Sequence, residues 1–507
     1  MTESRSDLEV HGSSVALLTD LYQLTMAYGY WKTGELETEG AFNLYFRHNP
    51  FEGGYAISCG LGYLIDFVES FRFDDADIDY LAGLSGNDGK PLFDPEFLLF
   101  LKGLELTCEI DAVPEGTVVF PHEPLVRVTG PLMQCQLLET PLLNIINFQT
   151  LVATKASRIC TAAQGDPVIE FGLRRAQGFD GAMAASRAAF VGGCESTSNV
   201  LAAKEFGIPV RGTHAHSWVM TFDSELEAFL AYAEAMPNNC ILLVDTYDTL
   251  QGVRHAIEVG KRLRRQGGQL VGIRLDSGDL AYLSIEARKI LDAAGFSETV
   301  IVASNDLNEH VITSLKDQGA AINVWGVGTE LVTSFDQPAL GAIYKLAAVR
   351  RGGGAWQPKL KLSEQAIKIN TPGLCQVRRF SRGDEYVADM IYDETQKLSE
   401  PHFLIDPMDS TRHRPIELGT FSEDLLVPIM RQGRVVYVPP NPGEARGYGQ
   451  QQLARFHPSI KRFLHPHQYP VGLEKSLFET KTALILAARD EASRAQAGMS
   501  NERPDLG

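Results

Sequence analysis

His214 and His216, two positions apart in RGTHAHSWVM (211–220), raise the first chemical question in this chain. In a strand, positions i and i+2 face the same way, so an H-x-H pair can grip one metal ion. Such a site needs further His, Asp or Lys ligands, and the strand ends that follow carry Asp and Arg but no His. The second reading is a nucleophilic or charge-stabilising imidazole, because a neutral ring carries a lone pair and titrates near neutrality. His216, just beyond an apolar run, suits that role. An ordinary structural histidine is the third reading.

Other clusters have the same reach. In RLDSGDL (274–280), Arg274 can pair bidentately with a carboxylate or phosphate. Asp276 and Asp279 can accept ribose hydroxyls or hold Mg²⁺ through water, and Ser277-Gly278 leaves backbone N–H groups open in a tight turn. The competing reading is an Asx turn that caps the next helix. EFGLRRAQG (170–178) sets Phe171, a stacking surface for a flat heterocycle, beside Arg174 and Arg175; a core Phe with solvated arginines is the alternative. GVGTELVTS (326–334) offers Gly326, Gly328 and Thr329 as a phosphate loop, although neither G-x-G-x-x-G nor G-x-x-x-x-G-K-[ST] occurs in the chain. Tyr22 and Tyr28 in TDLYQLTMAYG fit helix packing or ligand contact.

These residues need elements to position them. From about 166, apolar β-rich runs recur: PVIEFGLRR, IPVRGTHAH, CILLVDTYDT, QLVGIRLDSGD, TVIVASNDL and AINVWGVGT. Each is followed by polar or glycine residues and a helical pattern, at the spacing of a βα unit. Near-continuous apolar strands with helices between them predict a parallel sheet buried on both faces. Six successive strand ends carry reactive groups, which favours a β/α barrel over a doubly wound sheet with one switch point. Before this region, SSVALLTDLYQLTMAYGYWKTG predicts a helix capped by Thr19 or Asp20, AFNLYFRH a strand, and PLLNIINFQTLVATKASRICTAA a long helix. After RRGGGAWQP the chain is strand-like until the helical KSLFETKTALILAARDEASRAQ. The expected division is 1–165, 166–349 and 350–507.

Composition excludes several classes. The 507 residues carry a formal charge of -18 and 44% hydrophobic residues, as in a globular protein. No Lys/Arg block marks a nucleic-acid partner, and no uninterrupted apolar stretch of about 18 residues marks a membrane span. The N-terminus lacks the pattern of a signal peptide. Seven scattered cysteines without a CxxC read as reduced thiols, so a cytoplasmic location is expected.

In series, TDLYQLTMAYGY, EFGLRRAQG, RGTHAHSW, RLDSGDL and GVGTELVTSFDQPALGAIYKLAAV resemble the nicotinate phosphoribosyltransferases, in order and spacing, from about residue 15 to past 430. The nicotinamide enzymes are more distantly similar, and a nicotinamide- or quinolinate-type transferase is the alternative, ahead of a metallohydrolase using His214 and His216. The resemblance implies an irregular β/α barrel of the type II phosphoribosyltransferase kind, beside a second α+β domain built from both chain ends. It implies the reaction of nicotinate with 5-phosphoribosyl 1-diphosphate to nicotinate mononucleotide and diphosphate. It further implies coupled ATP hydrolysis, Mg²⁺ as cofactor, and a homodimer with shared sites.

Carried over by motif, His216 would be phosphorylated by ATP. Tyr22, Phe171, Thr213 and Arg274 would bind nicotinate, with Tyr22 supplied across the dimer. Arg174, Asp276, Ser277, Gly278, Asp279, Gly326, Gly328 and Thr329 would bind the ribosyl donor. No role transfers to His214, and no protein metal site is implied. GGCESTSN (192–199) departs from the shorter GTSN form expected of the family.

Overall fold

The computed structural model describes residues 14–500 apart from 399, 408, 410, 418 and 419; the polar N-terminal segment and the last seven residues lie outside the described residues. The chain divides into two compact units. The first comprises Met1–Phe148, Ala339–Pro439 and Gln451–Gly507, the second Gln149–Pro338 and Pro440–Gln450. The expected boundaries at 166 and 349 therefore shift. The long helix Glu139–Ala163 carries residues of both units, and the strand Ile343–Arg350 belongs to the first.

The second unit holds six parallel strands: β1 (Val168–Glu170), β2 (Ser196–Thr197), β3 (Ile241–Leu243), β4 (Gly272–Leu275), β5 (Val300–Ala303) and β6 (Val324–Val327). Their order in the sheet is β2-β1-β6-β5-β4-β3. That order is cyclic in the chain, but among the described residues no pairing joins β2 to β3, so the sheet is not a closed barrel. The strands are apolar because both faces are covered; Leu242, Ile273, Ile301 and Val327 are buried. The intervening helices are one-sided. Thr249–Arg265 buries Val253, Ala256, Ile257, Val259, Gly260 and Leu263 at helical spacing, and carries Arg262, Arg264 and Arg265 in its last turn, where they oppose the helix dipole.

Caps begin these helices just past the strand ends. Asn199, Asp248, Asp279 and Asn308 each accept a backbone N–H of the first turn. Capping thus takes one polar residue per loop and leaves the residues nearer each strand free for other work.

One expected strand is missing. IPVRGTHAH contributes a single bridge, Val210 to Thr197, and His216 opens the short helix His216–Met220. Pro209 has no N–H to give a ladder. In its place the two-residue β2, within GGCESTSN, pairs with β1.

In the first unit, Asp20 takes the N-cap position of the helix Leu21–Thr33, but its side chain makes no capping hydrogen bond and accepts from Thr140 instead. The strand Glu39–Tyr45 lies between Val126–Pro131 and Ile343–Arg350, antiparallel to both, within a seven-stranded sheet. The strand Val427–Arg431 joins the same sheet against Glu109–Ala112. A second, six-stranded sheet is formed by residues beyond 374.

Candidate active site

Residues at the C-terminal ends of β1, β4 and β5, and in the loop after Val210, converge in the second unit. Arg274, the third residue of β4, is fixed from three sides. Its Nε donates to Ser304 Oγ at 2.8 Å, one terminal nitrogen to Thr213 Oγ1 at 3.0 Å, and the other to Asp276 Oδ1 at 2.8 Å. Its guanidinium carbon lies 5.5 Å from the centroid of the Phe171 ring. The Ser304 hydroxyl also donates to Asp276 Oδ1.

Asp276 feels opposing influences. Burial pushes its carboxyl up, but the Ser304 hydrogen bond and the Arg274 charge, with His216, outweigh burial and hold it below the ordinary carboxylate value. The backbone N–H of Asp276 and the Ser277 hydroxyl donate to Asp245 Oδ2 at 2.8 and 2.7 Å. Asp245 therefore shapes the turn after β4 from the end of β3.

Phe171 follows β1, and its N–H donates to Val327 O at 2.8 Å. Beneath its ring the chain must be small: a Cβ on Gly326 would stand 2.7 Å from Phe171 Cδ2 and Cε2. A Cβ on Gly172 would stand 2.3 Å from Val332 Cγ1. The turn is anchored by Glu170, fully buried, which accepts from the Gly172 N–H, from Ser186 Oγ at 2.9 Å and from Thr197 Oγ1 at 2.6 Å. A cavity of about 150 Å³ opens under the ring, lined in part by Ile169, Phe171, Thr213, Ile241, Val302 and Val324. Its lining is largely apolar, with Arg211, Glu195 and Asn239 as polar members, and Arg274 adjoins it through its contacts with Thr213 and Phe171.

The two histidines diverge. His216 Nδ1 meets Thr246 Oγ1 at 3.1 Å, and its Nε2 lies 3.6 Å from Asp276 Oδ2, with the ring partly exposed. His214 is buried and turns away: Nδ1 meets Ala215 O at 3.2 Å and Nε2 accepts from Leu243 N–H at 3.2 Å. Both of its nitrogens are committed to backbone groups, so the strand-based metal pair does not form. Burial first, then Arg274 and His216, push the His214 imidazole down, against the opposing pull of the Ala215 carbonyl.

The structure brings Phe171, Thr213, His216, Arg274, Asp276 and Ser277 together. Gly278, with φ of 78°, makes the turn after Ser277. Asp279 caps the helix Leu280–Ala293, accepting from Tyr282 N–H at 3.0 Å, which is the Asx-turn reading. Gly326 falls inside β6 rather than in a loop, because the strand extends to Val327. Gly328 and Thr329 lie at the start of the short helix Thr329–Val332, and Arg174 is exposed in the turn Leu173–Arg175. Tyr22 is exposed on Leu21–Thr33 in the first unit, whereas Tyr28 packs edge-on against Phe93. Thr246 escaped the sequence reading. Its only signal was its place after Asp245 at a strand end.

Comparison with known proteins agrees with this geometry. Three family profiles match: the nicotinate phosphoribosyltransferase N-terminal domain over residues 17–147, the nicotinate phosphoribosyltransferase family over 167–357 and its C-terminal domain over 376–481. The chain is 43% identical to the nicotinate phosphoribosyltransferase of Bacillus subtilis, covering 93% of this chain and 95% of that one. It is 35% identical to the nicotinate phosphoribosyltransferase of Homo sapiens, covering 94% and 97%. The crystal structure of human nicotinic acid phosphoribosyltransferase superposes with a TM-score of 0.81 at 33% identity, covering 92% of this chain and 99% of that one. On this similarity, spread over nearly the whole chain, the protein belongs to the nicotinate phosphoribosyltransferase family.

Proposed function

We propose that the strand-end cluster of the second unit joins nicotinate to the ribosyl group of 5-phosphoribosyl 1-diphosphate. The observation that carries the reading is Arg274. A guanidinium has five N–H groups, and three are taken by Ser304, Thr213 and Asp276. One N–H on each terminal nitrogen remains, the pair that a carboxylate accepts in a fork. Beside Phe171, that pair supports a reading in which an aromatic ring and its carboxylate are held together. The pyridine nitrogen lone pair attacks C1 of the ribosyl donor, the C1–O bond breaks, and diphosphate leaves with the bonding electrons. No general base is needed, and the rate comes from positioning and charge stabilisation.

Arg174, Ser277, Gly278, Asp279, Gly328 and Thr329 are the groups for the donor's phosphates and ribose. Mg²⁺ fits the carboxylates present. Asp245 Oδ1 is buried without a hydrogen-bond partner, and Asp276 stands at the neighbouring strand end. Mg²⁺ favours one or two carboxylates completed by substrate phosphates, whose developing charge it neutralises when bound. Among the described residues no cluster of three ligating side chains could hold an ion without substrate.

ATP coupling enters at His216. With Nδ1 paired to Thr246, the Nδ1–H tautomer would give Nε2, 3.6 Å from Asp276 Oδ2, the lone pair that attacks the γ-phosphorus, and ADP departs with the P–O electrons. Water later cleaves the phosphohistidine. The sheet acts as an incompletely closed barrel, and a homodimer supplies Tyr22 of the partner subunit to the pyridine ring. The free thiols and the absence of a membrane-crossing helix among the described residues accord with a cytoplasmic place.

Incubation with nicotinate, 5-phosphoribosyl 1-diphosphate and Mg²⁺, with and without ATP, tests the reading by release of diphosphate. Turnover of nicotinamide with none of nicotinate would overturn it.

A further inference from the structure

The geometry points to His214 as a positioning residue. Its neutral imidazole clasps the loop 211–216 to the edge of β3, where β2 and β3 do not pair, and so holds Thr213 and His216 in place. The inference rests on the reading that Thr213 and His216 face the substrates.

β3 pairs with β4 on one side, and among the described residues its other edge has no strand partner. Leu243 is buried on that edge. A buried N–H without an acceptor costs about 1–3 kcal/mol. The His214 ring supplies the acceptor at 3.2 Å. Three residues further on, Thr246 meets His216 at 3.1 Å. Two imidazoles thus stitch loop to strand end at two points, where a ladder would otherwise run.

The chemistry of the partners selects one tautomer. A carbonyl only accepts, so Nδ1 carries the proton toward Ala215 O, and Nε2 keeps the lone pair for Leu243. A charged ring would set N–H against N–H. The surroundings resist that charge: Tyr232 stands edge-on at 4.7 Å between centroids, Phe229 at 6.1 Å, and the Arg274 guanidinium and the His216 imidazole both act against a charge on the ring. Thr213, one residue before the clasp, donates to the His214 carbonyl at 3.0 Å while accepting from Arg274. Displacement of the clasp therefore moves the group that orients the guanidinium.

Variants of the full chain separate clasp from packing. His214→Leu keeps an apolar side chain against Phe229 and Tyr232 but removes the acceptor, and His214→Gln returns an acceptor near the Nε2 position. The expected result is a fall in kcat of about 100-fold for the Leu variant, the scale of a misplaced catalytic group, with most activity regained by Gln. The reverse order, Leu active and Gln inactive, would overturn the clasp. Should neither variant fold, nitrogen NMR of histidine-labelled unmodified protein still decides: a proton on Nδ1 with a bare Nε2 supports the clasp, while an Nε2–H tautomer or a charged ring at neutral pH refutes it. The underlying reading fails differently. If Thr213→Val and His216→Ala both keep full turnover, there is nothing to position and the proposal falls, with the His214 tautomer unaltered.

Discussion

Arg274 holds its guanidinium carbon 5.5 Å from the centroid of the Phe171 ring, so that cation and aromatic ring stand side by side at the strand ends. The relationship depends on three hydrogen bonds that only a planar fork can make together. Lysine offers a point charge on a flexible stem. Arg274→Lys is expected to lower kcat/KM for nicotinate roughly 100-fold, about 3 kcal/mol, the upper range for a hydrogen bond to a charged group. Steady-state kinetics check this, and an unchanged kcat/KM would show that the fork does not select the acid.

Gly326 is the floor on which Phe171 rests. Gly326→Ala places a methyl group 2.7 Å from the ring carbons, and either the ring or the strand must shift. The expected outcome is a loss of about 1–3 kcal/mol of stability, as for overpacking, with a raised KM for nicotinate. Thermal unfolding and kinetics on the same sample measure both. A stable variant with native KM would place the substrate away from the ring.

Asp276 links the site to acid stability. Burial alone would raise its carboxyl, yet Ser304 and Arg274 hold it below its ordinary value. A depressed folded pKa contributes stability above the unfolded value, about 3.9, and that contribution is lost as the pH falls through the folded one. The stability gap between the native chain and Asp276→Asn is therefore expected to be widest above about pH 4 and to narrow below it. Denaturant unfolding across that range reads the gap; a constant difference at every pH would contradict the assignment.

His216 turns Nδ1 to Thr246 and holds Nε2 3.6 Å from Asp276 Oδ2, at the partly exposed side of the ring. Protein treated with γ-labelled ATP is expected to carry acid-labile phosphate on Nε2, identified by phosphorus NMR, and His216→Ala is expected to carry none. Label on Nδ1, or label retained in the variant, would reject the assignment.

Much of the site was legible because its members are local in sequence. Arg274, Asp276 and Ser277 share one strand end, and an apolar run followed by polar residues marks such an end plainly. What escaped depends on distance or on exceptions to periodicity. The H-x-H spacing implied one shared face only if 208–216 were a strand; Pro209 stops the ladder, and His216 turns into a helix. β2 has two residues, too few for alternation to register. Gly326 looked like loop because glycine usually marks one, whereas here the glycine makes room inside a strand for a ring contributed by another. Glu170 is a carboxylate at the end of β1, a place that by itself suggests chemistry. Its partners Ser186 and Thr197 make it an anchor, and only the fold brings them together.

The strand Glu39–Tyr45 carries a consequence for synthesis of the chain. One flank is covered early by Val126–Pro131, but the other waits for Ile343–Arg350. At about 5–20 residues per second, translation from Tyr45 to Arg350 takes roughly 15 to 60 s. Throughout that interval the ribosome-bound chain bears a sheet edge that nothing of its own can yet cover. Such an unpaired edge invites pairing with other chains until its native cover is made.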